Sequence, residues 1–353
     1  MKKPHSLDMG DKVAIVSLSS GALGEDFAAH ELELGKTRLE ELGLHPVIMP
    51  NACKGIKFLA EHPEARVLDL KNAFADKEIK GIICAIGGTD GYKTIPYIFE
   101  DKELISLVQN NPKVFLGYSD STIHHLALGK LGLATFYGQA FLTDLAELDT
   151  DMLPYSKYWL LNMFLSQPEI ELAPSEVWYS ERTDFSPKAL GTPREVHLEE
   201  LGFSSICKKG KAEGELFGGC IEVIHDCICT DDKQKQQIFA KYSLLPANND
   251  QKMLFLETSD QKIEPKQFQK IIVDLKNHHF FDNCAGVLFG KPQDQKYMHE
   301  YISVIKKELA DKKVLFNLNF GHAFPHCIMP YGTKVAVDFD KETIKFVEPW
   351  FND

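Results

Sequence analysis

The chain has 353 residues, 44% of them hydrophobic and 25% charged. These proportions exclude a disordered, collagenous or coiled-coil protein and suit two globular domains. Lys and Arg total 39 against 51 Asp and Glu, a net charge of −12 that disfavours binding to nucleic-acid polymers.

The N-terminal half alternates between strand and helix signals. KVAIVSL (12–18) is a short apolar run rich in β-branched residues. Helical periodicity follows over 25–43, then a strand at HPVIMP (45–50) and a helix at 63–76. GIICAIGG (81–88) and KVFLGYS (113–119) read as buried strands with helical sequence between them. STIHHLALGKLG (121–132) is helical and LATFYG (133–138) strand-like. The strand runs are nearly all apolar, as strands covered on both faces require. Strand and helix in alternation predict a parallel sheet with right-handed crossovers.

A helix over 152–167 closes an N-terminal α/β domain, residues 1–167. Residues 168–212 hold Pro168, Pro174, Pro187, Pro193 and a polar YSERTDFSP stretch, and are expected to form a connecting region with short strands. Residues 213–353 form a smaller C-terminal α/β domain rich in strands. Its expected strands begin near GELFGG (214–219) and include 252–257, 285–290 and 313–319. Helices are expected at CIEVIHDCIC and near 264–277 and 295–310, and the tail should form two strands joined at Asp338–Lys341.

No run approaches about 18 apolar residues, so no transmembrane helix is expected. MKKPHSLDMGDK lacks the apolar core of a signal peptide. Eight cysteines (53, 84, 207, 220, 227, 229, 284 and 327) include no C-x-x-C pair, and there is no H-E-x-x-H. Buried free thiols, a cytoplasmic location and no metal or organic cofactor are expected.

Ser119 stands where the strand KVFLG turns into a helix, in a G-x-S-x-S pattern. This resembles a nucleophile elbow, which exposes a serine Oγ at the top of a sheet. The Asp120 N–H would sit at the helix start, aimed at an oxyanion. Taken alone, the pattern favours a simple helix cap formed by Ser119, Asp120 or Ser121. Glu257 ends the strand KMLFLE, and His322 follows the strand KVLFNLN. Both lie at C-terminal strand ends, where α/β folds place their chemistry. An acid there equally caps a helix, and a histidine there equally serves as a solvated loop residue. Gly87 and Gly88 follow a buried strand, so their N–H groups can approach a ligand closely. Their spacing matches neither of the common nucleotide loops.

Eight segments in order, GDKVAIVSLSSG, CAIGGTDGYKTIPYI, FLGYSDSTIHHLAL, TFYGQAFLTDLAE, GELFGGCIEVI, LFLETSD, GVLFGKP and FGHAFPHCIMPYGTKVAVD, together resemble the LD-carboxypeptidase/microcin C self-immunity family of serine peptidases. The wording of GYSDST, GGTDGYKTIPYI and LFGGCIEVI is closer to the immunity branch. The resemblance implies a catalytic triad of Ser119, Glu257 and His322. It implies an oxyanion hole from the N–H groups of Gly88 and Asp120, with Gly87 beside the substrate. The family fold implies a site between the two domains and a homodimer. The implied substrate is a small peptide or an aminoacyl- or peptidyl-nucleotide, with no membrane partner. A murein tetrapeptide is the alternative substrate, and a non-catalytic small-ligand binder the alternative function. The immunity branch stacks a tryptophan on adenine; Phe203 stands at the similar place here, with Trp178 nearby in sequence. Lys291 and Lys93 are candidate cations for a substrate carboxylate.

Overall fold

The computed structural model describes residues 1–167 and 169–352; Pro168 and Asp353, at the edges of the expected connecting region and C-terminal domain, lie outside the described residues. The chain forms two compact units. One comprises Met1–Ser166, Arg182–Arg194 and Phe351–Asp353; the other comprises Gln167–Glu181 and Glu195–Trp350.

In the first unit, β1 (Lys12–Val16), β2 (His45–Ile48), β3 (Ile79–Cys84), β4 (Val114–Gly117) and β5 (Phe136–Tyr137) lie in the order β5-β4-β3-β1-β2. All four pairings are parallel. The helices of this unit are α1 (Ala29–Glu41), α2 (Gly55–Glu61), α3 (Pro63–Ala75), α4 (Ile95–Glu100), α5 (Lys102–Asn110), α6 (Thr122–Lys130) and α7 (Pro154–Leu161). Ala14, Ile15, Val16, Ile82 and Phe115 are fully buried, which explains the near-continuous apolar runs. The chain leaves β1 toward β2 on one side and returns to β3 on the other. The strand order therefore reverses at β1/β3, the point where open α/β sheets leave a crevice at their carboxyl ends. The segments after β1 and β3 meet there, with the Ser20 N–H donating to the Gly87 carbonyl at 3.1 Å.

The second unit carries β6 (Ile170–Leu172), β7 (Val177–Tyr179), β8 (Val196–Leu198), β9 (Ser204–Ser205), β10 (Lys211–Cys220), β11 (Lys252–Glu257), β12 (Gly286–Gly290), β13 (Val314–Leu318), β14 (Met329–Pro330), β15 (Lys334–Asp338) and β16 (Thr343–Phe346). Eight of them form a mixed sheet in the order β6-β16-β15-β10-β11-β12-β13-β9, while β7 and β8 pair separately. The central block β10 to β13 is parallel and its flanks are antiparallel. Helices α8 (Ile221–Cys229) and α9 (Lys233–Tyr242) follow β10; α10 (Pro265–Asn277) and α11 (Met298–Glu308) follow β11 and β12. Leu254, Phe255, Leu256, Val287, Leu288 and Leu315 are fully buried at its centre. A Cβ on Gly218 would lie 1.7 Å from the Phe255 carbonyl oxygen, so only glycine fits where β10 meets β11.

Most expected strands and helices fall where the periodicity put them. α2 and α9 are additional, whereas β6 and β9 fall among the short strands expected of residues 168–212 and supply the two edges of the second sheet. The expected helix over 152–167 is shorter, giving way to a 3-10 turn at Asn162–Phe164. All eight cysteines are free thiols; Cys84, Cys220 and Cys327 are buried, whereas Cys53 is exposed on a turn. No helix among the described residues is long and apolar enough to cross a membrane.

Candidate active site

Ser119 sits on a strained turn. β4 ends at Gly117, Tyr118 is extended, and Ser119 itself has φ +63° before a 3-10 turn leads into α6. A non-glycine residue at positive φ costs roughly 1–3 kcal/mol unless its surroundings enforce it. Here the Ser119 N–H donates to the Tyr137 hydroxyl at 3.0 Å, and Tyr137 is fully buried on the neighbouring β5. Tyr118 meets the same ring edge to face at 6.4 Å. The residues at the N-cap positions of the 3-10 turn and of α6, Tyr118 and Ser121, make no side-chain cap hydrogen bond.

The glycine loop after β3 runs against this elbow. A Cβ on Gly87 would lie 2.7 Å from Ser119 Cβ, 2.8 Å from its Oγ and 3.3 Å from the Asp120 nitrogen. Gly88 has φ +152°, and a Cβ there would lie 2.4 Å from Ser19 Oγ. Only glycine permits both approaches. The buried Asp120 carboxylate ties the loop down by accepting from the Gly91 N–H at 2.8 Å and from the Ser19 hydroxyl. Asp90 in the same loop takes two 2.8 Å hydrogen bonds from the buried Arg66 guanidinium. Bidentate charge-assisted pairs of this kind fix geometry as well as adding energy.

In the second unit, Glu257 closes β11 and His322 lies in the turn after β13. His322 Nδ1 is 2.8 Å from Glu257 Oε2, and the His322 backbone N–H donates to the same oxygen at 3.2 Å. Both side chains are buried. Glycine again makes the room. A Cβ on Gly321, at φ +86°, would lie 2.3 Å from Glu257 Cγ, and one on Gly290 would lie 2.8 Å from Glu257 Cβ. Burial alone would push the His322 imidazole toward neutrality. The Glu257 charge and hydrogen bond, with Asp260 and Glu222 adding, more than offset it and hold its pKa above the usual histidine value.

Glu222, from the first turn of α8, is a half-buried carboxylate that the sequence did not single out. It accepts from the Ser259 N–H at 3.0 Å and the Ser259 hydroxyl at 2.8 Å, fixing the loop after Glu257. Burial and the neighbouring Glu257 raise its pKa.

The remaining candidates are placed as follows. Phe203 is 5% exposed. Trp178 is half-buried and stacks on His197 across the β7–β8 ladder, with ring centres 4.0 Å apart and planes at 17°. The Lys291 ammonium is buried and ion-paired with Glu199, and Lys93 lies 3.6 Å from Asp90.

The first unit is thus a parallel α/β unit with a serine on a strained strand–helix turn, and the second carries a buried carboxylate–histidine pair. Residues 13–138 match the LD-carboxypeptidase N-terminal domain and residues 213–337 the LD-carboxypeptidase C-terminal domain, so the chain belongs to the LD-carboxypeptidase family. A crystal structure of an MccF-like protein from Streptococcus pneumoniae in complex with AMP is 42% identical, with a TM-score of 0.90 over 96% of this chain and 99% of that one. An MccF-like protein from Bacillus anthracis is 27% identical, with a TM-score of 0.82 over 98% and 99% of the two chains. The Bacillus subtilis "Probable murein peptide carboxypeptidase" is 27% identical over 97% of this chain and 93% of its own length.

Proposed function

We propose that this chain is a serine amide hydrolase of the carboxypeptidase type, acting on an aminoacyl- or peptidyl-nucleotide. Ser119 is the nucleophile, His322 the general base and Glu257 its orienter. The observation that carries this reading is the buried 2.8 Å contact between His322 Nδ1 and Glu257 Oε2. With Nδ1 committed to a carboxylate, the imidazole keeps Nε2 for the serine proton. The strained Ser119 backbone supports the same reading, because strain of this kind collects at functional residues.

The steps balance without a cofactor. His322 Nε2 takes the Ser119 Oγ proton as Oγ bonds to the substrate carbonyl carbon. The N–H groups of Gly88 and Asp120 hold the resulting oxyanion. The carbon–nitrogen bond then breaks, and His322 returns the proton to the leaving nitrogen. Water then attacks the Ser119 ester carbonyl, giving a proton to His322 Nε2; the carbon–Oγ bond breaks, His322 returns that proton to Ser119 Oγ, and the acid product leaves. Removing one oxyanion donor typically costs about 2.7–4 kcal/mol of barrier stabilisation.

The nucleotide preference rests on the similarity to the Streptococcus pneumoniae protein bound to AMP. The homodimer expected of the family belongs to the same proposal. The test is to feed purified protein an aminoacyl-adenosine amide and a murein tetrapeptide in parallel and to identify products by mass spectrometry. Cleavage of the adenosine conjugate, lost in Ser119→Ala with folding retained, is the expected result. Cleavage of the tetrapeptide alone transfers the proposal to the murein substrate, and unchanged turnover in Ser119→Ala removes the serine from the mechanism.

A further inference from the structure

α8 places His225 and Cys229 four residues apart, so both side chains stand on one face of the helix. Asp274 reaches the same spot from α10, the helix packed beside it, with its Oδ2 2.9 Å from His225 Nε2. One ligand atom from each of His225, Cys229 and Asp274 lies within 4.8 Å of the other two. We propose that His225, Cys229 and Asp274 form a zinc-binding site that clamps α8 to α10.

The donor set suits the ion. Imidazole nitrogen, thiolate sulfur and carboxylate oxygen are the three protein ligand types of Zn2+, at about 2.0–2.3 Å from the metal. Tetrahedral ligands at those lengths stand roughly 3.2–3.8 Å apart, so the geometry is completed when His225 Nε2 and Asp274 Oδ2, now hydrogen-bonded at 2.9 Å, part by a few tenths of an ångström around the ion and the Cys229 side chain closes in. The His225 side chain is 13% exposed and the Asp274 side chain 25%, which leaves the fourth position to water. Lys270 Nζ occupies one rival position, 2.7 Å from Asp274 Oδ2. Its side chain is 66% exposed and can turn into solvent, and surface pairs of this kind contribute about 0–1 kcal/mol. On binding, Cys229 Sγ releases its proton to water, and His225 ligates through Nε2 with its own proton on Nδ1. The site shares no residue with Ser119, Glu257 and His322, so it stands or falls independently of the proposed hydrolysis.

The test uses full-length protein stripped with EDTA and titrated with Co2+. A thiolate-to-cobalt charge-transfer absorption should grow with tetrahedral visible bands, saturate at one ion per chain and be displaced by Zn2+. Cys229→Ser should lose the charge-transfer absorption, and His225→Ala should weaken binding by about tenfold or more. Zn2+ should raise the melting temperature of the wild type and leave that of Cys229→Ser unchanged. Absence of the absorption overturns the site. An absorption that survives Cys229→Ser belongs to another thiol, such as the exposed Cys53, and overturns it equally.

Discussion

Glu257 Oε2 accepts two hydrogen bonds from one residue, from the His322 backbone N–H at 3.2 Å and the ring Nδ1 at 2.8 Å. The folded state therefore binds the imidazolium proton more tightly than the unfolded chain does. That contribution to stability is fully present below the unfolded value of about 6.5, and it is lost as pH rises through the folded value. In the proposed mechanism activity runs the other way, because only the neutral imidazole can take the Ser119 proton. kcat/KM should fall as pH drops through a pKa above the ordinary histidine value. Glu257→Gln keeps the shape and removes the charge. It should move the acid limb of the kcat/KM profile to lower pH and reduce kcat by up to about 10⁴-fold. An acid limb that stays in place in this variant would contradict the pairing's role. Ser119, Glu257 and His322 were each legible as polar residues ending apolar runs. Gly321 was not, because its requirement arises only from a carboxylate brought beside it from β11. Tyr137 and Glu222 were hidden for the same reason: what matters is the partner, and the partner is distant in sequence.

At the level of elements, legibility followed burial. β11 matches its expected limits, with every residue after Lys252 buried. β9 has two half-buried residues and joins the sheet at its edge, so it leaves no periodic signal. α9 was missed because KQKQQIFAKY offers only Ile238 and Phe239 as buried residues, too few for a recognisable stripe. Its start was nevertheless written in the chain. Asp232 accepts from the Gln234 N–H at 2.8 Å and the Lys235 N–H at 3.0 Å, a side-chain cap. Asp232→Ala should destabilise the protein by about 1 kcal/mol, read as a lower urea midpoint at unchanged slope. An unaltered midpoint would mean that packing of Ile238 and Phe239 alone holds this helix. The spacing of His225 and Cys229 on α8 was also readable as one helix face. Asp274 was not, since nothing in a single helix shows what packs against it.

Across the whole molecule, the alternation of strand and helix made the α/β class readable, and the order of eight short segments made the family readable. The return of Arg182–Arg194 to the first unit was not. It is secured by charge: Arg182 Nη2 and Arg194 Nε lie 2.5 and 2.6 Å from the two oxygens of the buried Glu147 carboxylate. An isolated buried charge costs several kcal/mol, so Glu147 needs both arginines, and sequence distance hides the match. The proposed chemistry also joins separate parts of the chain, with Ser119 in one unit and Glu257 and His322 in the other. A serine hydroxyl without a base is a weak nucleophile at its free pKa. A fluorophosphonate probe should therefore label Ser119 in the wild type, and the label should vanish in His322→Ala while circular dichroism and melting temperature are retained. The retained circular dichroism and melting temperature separate this loss from unfolding of the Ser119 elbow, which is held by Tyr137 and the glycine loop. Labelling that persists in His322→Ala would show that Ser119 reacts without the second unit's histidine, and the division of labour proposed here would be refuted.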